Sequence, residues 1–294
     1  SGEVSHAFPA LSMVDPDLFA ISAIGVNGDT FHIGDHEEVF TIQSISKPFT
    51  YALALEQKGL PFVETKVGVE PTGEDFDTII KIDDLNRPFN PMVNSGAIAV
   101  TGLITAEKHK TQEEELLAYL GKFAGRELSI DPQVYQSERN HGHKNWAIAH
   151  LLRHFKVLPK DFAEALDLYF KQCSVRVNCD DLALMAATLA NGGINPVTQE
   201  SCVSPDNLRN VLSILFTCGM YNYSGEWAFD VGLPAKSGIC GGIILVIPGV
   251  MGVAIYSPRL DKRGNSIRGL KLSEELSNMF NLHMFAKTLK KSIL

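Results

Sequence analysis

Residues 40–56 read FTIQSISKPFTYALALE. An apolar helix begins here, and two serines, a lysine and a proline stand at its start. Pro48 has no N–H, and inside a helix its ring collides with the carbonyl four residues earlier, so it fits only the first turn. The helix start is therefore expected near Ser44–Ile45. Ser44 would sit at the positive end of the helix dipole, with Lys47 three residues on and on the same face. Ser46 neighbours Lys47 in sequence but points elsewhere. A serine hydroxyl is a weak nucleophile that needs a base, and a lysine serves as one only when neutral. Lowering its pKa from ~10.4 to ~7 costs roughly 4–5 kcal/mol, which burial and a second nearby cation can supply. With 20 serines in the chain, one Ser-x-x-Lys can arise by chance. The ordinary alternative is a helix-start serine beside a lysine whose stem is buried and whose head reaches water.

A second stretch gives the first its weight. LPAKSGICGGIILVIP (233–248) sets Lys236-Ser237-Gly238 immediately before a strand. Ser-x-x-Lys followed by Lys-[Ser/Thr]-Gly is the pattern of penicillin-binding proteins and serine β-lactamases. Lys236 would be the cation that depresses Lys47. Gly238 and Gly241-Gly242 would let the backbone approach a substrate. The Ile239 N–H could join that of Ser44 in an oxyanion hole.

The two ends of the chain read as strands and the middle as helices. LFAISAIGV (18–26), the turn Asn27-Gly28-Asp29 and TFHIG (30–34) form a hairpin pattern. Residues 242–247 and 250–256 offer two more strands, followed by an amphipathic stretch from about Lys271 to Lys290. Between them, 95–108, 112–125, 145–155, 159–173, 179–193 and 204–219 carry helical patterns. Asn178 or Asp180 can cap one start and Gly192-Gly193 can end that helix, while Ser204-Pro205 opens the last. The expected architecture is α/β of the α+β type. An antiparallel sheet built from both termini and flanked by helices carries a helical insertion. Residues 1–60 and 222–294 would form the sheet sub-domain and 61–221 the helical one, with the active site between them.

Composition narrows the function. The 294 residues are 45% apolar and 20% charged, with a formal net charge of −8 and no basic block. Nucleic acid and anionic membrane are therefore not expected as partners. No apolar run reaches the ~18–20 residues of a membrane span. GGIILVIPGVMGVAIY (241–256) comes nearest and is broken by Pro248-Gly249. The five cysteines (173, 179, 202, 218, 240) lack C-x-x-C spacing, which predicts reduced, packed thiols rather than disulfides or zinc ligands. No signal-peptide pattern opens the chain, which begins Ser1-Gly2 rather than Met. A cytoplasmic address is expected, or a mitochondrial one if the chain is a eukaryotic fragment.

The residues also resemble a family, the serine-dependent, β-lactamase-like glutaminases of bacteria and of animal kidney and liver. The resemblance rests on QSISKP (43–48), VEPTG (69–73), FNPMVNSGAI (89–98), QSERN (136–140), KNWAIAH (144–150), LDLYFKQCS (166–174), MAATLANGG (185–193), TCGMY (217–221) with YSG (223–225), and GLPAKSG (232–238). It implies hydrolysis of L-glutamine to L-glutamate and ammonia, without cofactor or metal. By resemblance, Ser44 is the nucleophile, Lys47 its base and Tyr221 a proton-transfer partner. Asn94, Glu138, Asn145, Tyr169 and Tyr221 would hold the substrate, with Gln43 and Ile239 at the reacting end and Lys236, Ser237 and Gly238 in support. The set suits a zwitterion, since Glu138 can receive an ammonium while Asn and Tyr donate to a carboxylate. The resemblance departs at VSHAFP (4–9), where Ala7 stands in place of a family tyrosine; the departure bears on substrate affinity or closure over the site. A homodimer or homotetramer is implied, and GEDFDTIIKIDDLNRP (73–88) resembles a gating loop as much as an ordinary surface loop.

Other candidates are weaker. His150 and His154 have the i, i+4 spacing of helix-borne zinc ligands, but no Glu follows the first His. His141-Gly142-His143 reads as a loop beside Glu138 and Asn145. Asp83-Asp84 and Glu113–Glu115 read as solvated charges. Two alternatives to a glutaminase are a β-lactamase-like peptidase or esterase and a non-catalytic amino-acid-binding module.

Overall fold

The computed structural model describes residues 2–73, 78 and 82–286. In chain order the elements are β1 (Ala20–Gly25), β2 (Thr30–Gly34), β3 (Phe40–Thr41), α1 (Lys47–Lys58), α2 (Leu60–Val63), α3 (Asn94–Thr101), α4 (Gln112–Ala124), α5 (Pro132–His141), α6 (His143–His154), α7 (Phe162–Cys173), β4 (Arg176–Val177), α8 (Cys179–Ala190), α9 (Pro205–Cys218), α10 (Ser224–Asp230), β5 (Ala235–Ser237), β6 (Gly242–Ile247), β7 (Met251–Tyr256) and α11 (Ile267–Phe280). Single 3-10 turns span Pro9–Met13, Gln43–Ser46 and Tyr221–Tyr223.

Five strands form one antiparallel sheet in the order β2-β1-β7-β6-β5. The two ends of the chain thus meet where β1 pairs with β7, Ala20 opposite Tyr256 and Gly25 opposite Met251. The Asn27-Gly28 turn closes the first hairpin, with Gly28 at φ +89° as a tight turn requires. Every residue of β6 is buried, and the period-2 pleat sends its side chains alternately to two cores. Ile244 and Val246 join the core under α8, whereas Ile243, Leu245 and Ile247 pack with Trp227, Leu233 and Leu270. Gly252 lets α8 lie this close, because a Cβ there would stand 2.0 Å from the backbone nitrogen of Ala187. A further core, of Ala97, Ile98, Ala149, Leu152, Leu166 and Phe170, joins α3, α6 and α7.

The helix limits move for local reasons. The helix predicted over 95–108 ends at Thr101. Beyond Gly102, Gln57 captures the Thr105 backbone through its N–H (2.9 Å) and C=O (2.8 Å) and turns the chain away. The helix predicted over 159–173 begins at Phe162. The stretch predicted from Lys271 to Lys290 starts earlier, where the Ser266 hydroxyl accepts the Gly269 N–H, and ends before Asn281 at φ +54°. Residues 287–290 of that prediction lie outside the described residues, as do 74–77 and 79–81 of the loop predicted to gate the site. At the N-terminus of α8 Asn178 and Asp181 form a reciprocal cap. All five cysteines are buried and free. Among the described residues no helix is long and apolar enough to cross a membrane.

Candidate active site

The strand β3 ends at Thr41, and Gln43, at φ +48°, turns the chain into the 3-10 turn Gln43–Ser46. The α-helix itself starts at Lys47, not near Ser44–Ile45 as predicted, and Pro48 occupies its first turn. A 3-10 turn has about three residues per revolution, so positions i and i+3 eclipse. Ser44 and Lys47 therefore leave the chain on one side, more closely aligned than an α-turn would make them. Ser46 is occupied elsewhere: its hydroxyl donates to the Gln43 carbonyl (2.7 Å) and accepts from Gln172 (3.0 Å).

Lys47 is buried, and its Nζ donates to the Met92 carbonyl (3.1 Å) and to Asn94 Oδ1 (2.7 Å). Asn94 is the centre of this network. Its Oδ1 also accepts from the Tyr169 hydroxyl (3.2 Å), and its Nδ2 donates to Asn145 Oδ1 (3.0 Å). The residue expected to hold substrate thus also holds the lysine, a link that spacing could not reveal because 47 residues separate the two partners.

Lys236, on β5, is wholly buried, and its Nζ donates to the carbonyls of Gly219 (3.0 Å) and Ser237 (2.6 Å). It also lies 4.4 Å from the centre of the Tyr221 ring. Burial first, and then the charge of Lys47, push the Lys236 ammonium well below the usual lysine range. Tyr221 is held at φ +56°. Burial raises its phenol strongly, opposed by the neighbouring Ser44 hydroxyl and Ile239 N–H. The glycines of the second motif are closely packed. A Cβ on Gly238 or Gly242 would strike the Ile45 side chain, at 3.1 and 2.7 Å, and one on Gly241 would meet backbone at 257–258. Gly238 and Gly242 thus let the chain close against the 3-10 turn. The Ser237 hydroxyl is buried with no hydrogen-bond partner among the described residues.

A cavity of about 1090 Å³ opens in front of Ser44. Gln43, Asn94, Glu138, Asn145, Tyr169 and Ile239 line it. Lys47, Tyr221 and Lys236 are not among the residues that line it, and Tyr221 borders a second cavity of about 160 Å³. Glu138 is carried by α5, a helix the sequence reading did not anticipate, although Asp131-Pro132 supplies a start signal: the Asp131 carboxylate caps the N–H groups of Gln133 and Val134. Burial raises the Glu138 carboxyl to about 8, against hydrogen bonding from Cys173, the charge of Lys47 and hydrogen bonding from Gln43. Its Oε2 is buried without a hydrogen-bond partner among the described residues. Cys173 also lines the cavity and was not foreseen. Burial and the nearby Glu138 push its thiol well up, which keeps it protonated. Gly2–Phe8, with Ala7, and Leu260–Gly264 complete the rim, and His141, Gly142 and His143 lie beside Glu138 at the join of α5 and α6. Among the other sequence candidates, His150 is exposed and packs against Phe162. Asp83 pairs with Arg87 (2.6 Å), and Glu113 pairs with Lys171 (3.0 Å).

Comparison with known proteins identifies the family. The Glutaminase family model matches residues 2–285. A glutaminase of Nostoc sp. is 52% identical over 284 residues, which cover 97% of this chain and 85% of that protein. Among solved structures, one described as probable glutaminase ybaS superposes with a TM-score of 0.92 at 39% identity, covering 97% of this chain and 93% of that one. Another, Mglu in its glutamate form, has a TM-score of 0.91 at 40% identity, covering 96% of this chain and 66% of that one. The expected β-lactamase-like α/β fold is thereby established. A match across nearly the whole length, on a site of this composition, makes the chain a member of the glutaminase family of amide hydrolases.

Proposed function

We propose that this glutaminase hydrolyses L-glutamine to L-glutamate and ammonia through an acyl-enzyme on Ser44, with Lys47 as base. The observation that carries the reading is the shared cavity. Ser44 opens into it, and so does Glu138, whose buried Oε2 has no hydrogen-bond partner among the described residues. An unpaired buried carboxylate is costly, and the α-ammonium of an amino acid would relieve it. Asn145 and Tyr169 can donate to the α-carboxylate, which leaves the side-chain amide to reach Ser44.

The chemistry follows from the hydrogen bonds around Lys47. A neutral amine has two N–H donors and one lone pair. The two donors match the Met92 carbonyl and Asn94 Oδ1, and the lone pair suits the Ser44 proton. Repulsion between Lys47 and Lys236 favours loss of one of their protons. Burial and the Lys47 charge lower Lys236, while its bonds to two carbonyls and its place over an aromatic ring offset part of that lowering. The neutral state is assigned to Lys47, because the base role needs its lone pair. Ser44 Oγ then attacks the amide carbon while its proton passes to Lys47 Nζ. The N–H groups of Ser44 and Ile239 receive the oxyanion. Collapse breaks the C–N bond, and the leaving nitrogen takes a proton through Tyr221 or Lys47. Water attacks the ester by the reverse route and frees glutamate. No step calls for a metal or cofactor.

Ammonia release from glutamine and from asparagine, followed in the wild type and in Ser44→Ala, tests the reading. Turnover should vanish in the variant while its circular dichroism and melting stay native. Wild-type rates from Ser44→Ala would end the assignment. A cytoplasmic or mitochondrial setting and a homodimeric or homotetrameric assembly complete the proposal.

A further inference from the structure

Away from the cavity, three side chains meet on the outer edge of the sheet. His32 lies on β2, His36 follows it, and Asp180 is in the first turn of α8. One potential ligand atom from each lies within 4.8 Å of the other two. His36 Nδ1 is 2.7 Å from Asp180 Oδ2, and the His32 and His36 rings stack with centroids 3.8 Å apart. Two further bonds fix the arrangement. The Ser22 hydroxyl donates to the other oxygen of Asp180 (2.5 Å), and the Cys179 N–H donates to the His36 carbonyl (3.1 Å). The hydrolysis proposed above uses none of these groups.

We propose that His32, His36 and Asp180 bind one divalent transition-metal ion of the zinc type, which clips the edge of the β1–β2 hairpin to the start of α8. Two imidazoles and one carboxylate suit zinc, cobalt or nickel, whereas calcium and magnesium prefer all-oxygen sets. Metal–ligand bonds of ~2.0–2.2 Å in a tetrahedron bring ligand atoms to ~3.4 Å of each other. His32 is exposed and free to swing inward from its stacked position, while Asp180 and the His36 backbone are already held. Ser22 gives the carboxylate the outer support that metal-binding carboxylates commonly have. Solvent supplies the remaining position. The local charge also favours a cation, since Asp35, Glu37 and Glu38 flank His36 in sequence.

Tag-free full chain, stripped with chelator, should take up one equivalent of Zn²⁺ in calorimetry. It should give a visible Co²⁺ spectrum that Zn²⁺ abolishes, and it should melt higher with Zn²⁺ present. His32→Ala and Asp180→Asn should each lose the Co²⁺ spectrum and the thermal shift while keeping glutamine hydrolysis, which controls for folding. Ser22→Ala should bind roughly 10–100-fold more weakly. The pair His150→Ala/His154→Ala, on an exposed face of α6, should bind as the wild type does. The proposal is overturned if the chain takes up no Zn²⁺ at micromolar concentration. It is equally overturned if uptake survives His32→Ala and Asp180→Asn, or disappears only with His150 and His154.

Discussion

Gln43 and Tyr221 flank the proposed nucleophile, and both hold a left-handed backbone, at φ +48° and +56°. Each such position costs about 1–3 kcal/mol outside glycine, and here the bends bring the 3-10 turn and the Tyr221 phenol together at Ser44. Tyr221→Phe should therefore keep the fold and lower kcat by roughly 10²–10⁴-fold with little change in KM; an unchanged kcat would remove the phenol from proton transfer. Glu138 yields a pH prediction. Its carboxyl rises from 4.5 in the open chain to about 8 in the folded protein. A raised folded-state pKa means a contribution fully present below about pH 4.5 and lost as pH climbs through about 8. Glu138→Gln removes that loss. Its melting temperature should fall less than the wild type's between about pH 5 and about pH 9, by at most a few kcal/mol of stability, and glutamate should no longer bind. Parallel pH slopes for the two proteins would contradict the protonation assigned to Glu138. Ser44, Lys47 and Lys236 were legible in sequence as candidates because motif spacing marks them. The bonds from Asn94 to Lys47 and the environment of Cys173 were not, because they join segments far apart in the chain.

At the scale of elements, the 3-10 turn before α1 is the main gain over the sequence reading. Pro48 located the helix start to within one turn, but spacing alone cannot separate a 3-10 turn from an α-turn, and the eclipsed pairing of Ser44 with Lys47 depends on the difference. The hairpin was legible from its Asn-Gly turn, and the strands β6 and β7 from an apolar run broken by Pro-Gly. Helix α5 escaped notice because its sequence, PQVYQSERNH, has few apolar residues and buries chiefly Glu138; only its Asp-Pro cap announces it. Helix α8 depends on Gly252, where added volume meets the Ala187 backbone. Gly252→Val should destabilise the protein by about 1–3 kcal/mol or more, read as an early denaturant midpoint, whereas Gly249→Ala in the open turn should change little beyond its backbone cost. Equal midpoints for the two variants would mean that α8 does not need its close seat on the sheet.

Across the whole molecule, the sheet's central pair joins β1 to β7, so the fold cannot close until both ends of the chain are made. Antiparallel pairing of the termini was legible from strand patterns at the two ends. The course of α8 was not, because a buried helix looks alike whichever core receives it. We propose the division into 1–60 with 222–294 and 61–221, with α8 as the element that ties the helical part to the sheet. The ligands proposed for glutamine come from both parts, Ser44 and Ile239 from one and Asn94, Glu138, Asn145 and Tyr169 from the other. Saturating glutamate should therefore raise the melting temperature of the whole protein in one transition, by about 2.7 kcal/mol of stability at 100 times its Kd. Two transitions of which glutamate moves only one would contradict a site shared between the parts.

The central claim is the Ser44 acyl-enzyme, and trapping that intermediate tests it most directly. Wild-type protein turning over glutamine is quenched in acid and its peptides are weighed, in parallel with turnover in the presence of hydroxylamine. The account predicts a γ-glutamyl group on the peptide carrying Ser44 and diversion of product to the γ-glutamyl hydroxamate, both absent in Ser44→Ala. A γ-glutamyl group on any other residue, or active turnover with neither adduct nor hydroxamate, would contradict it.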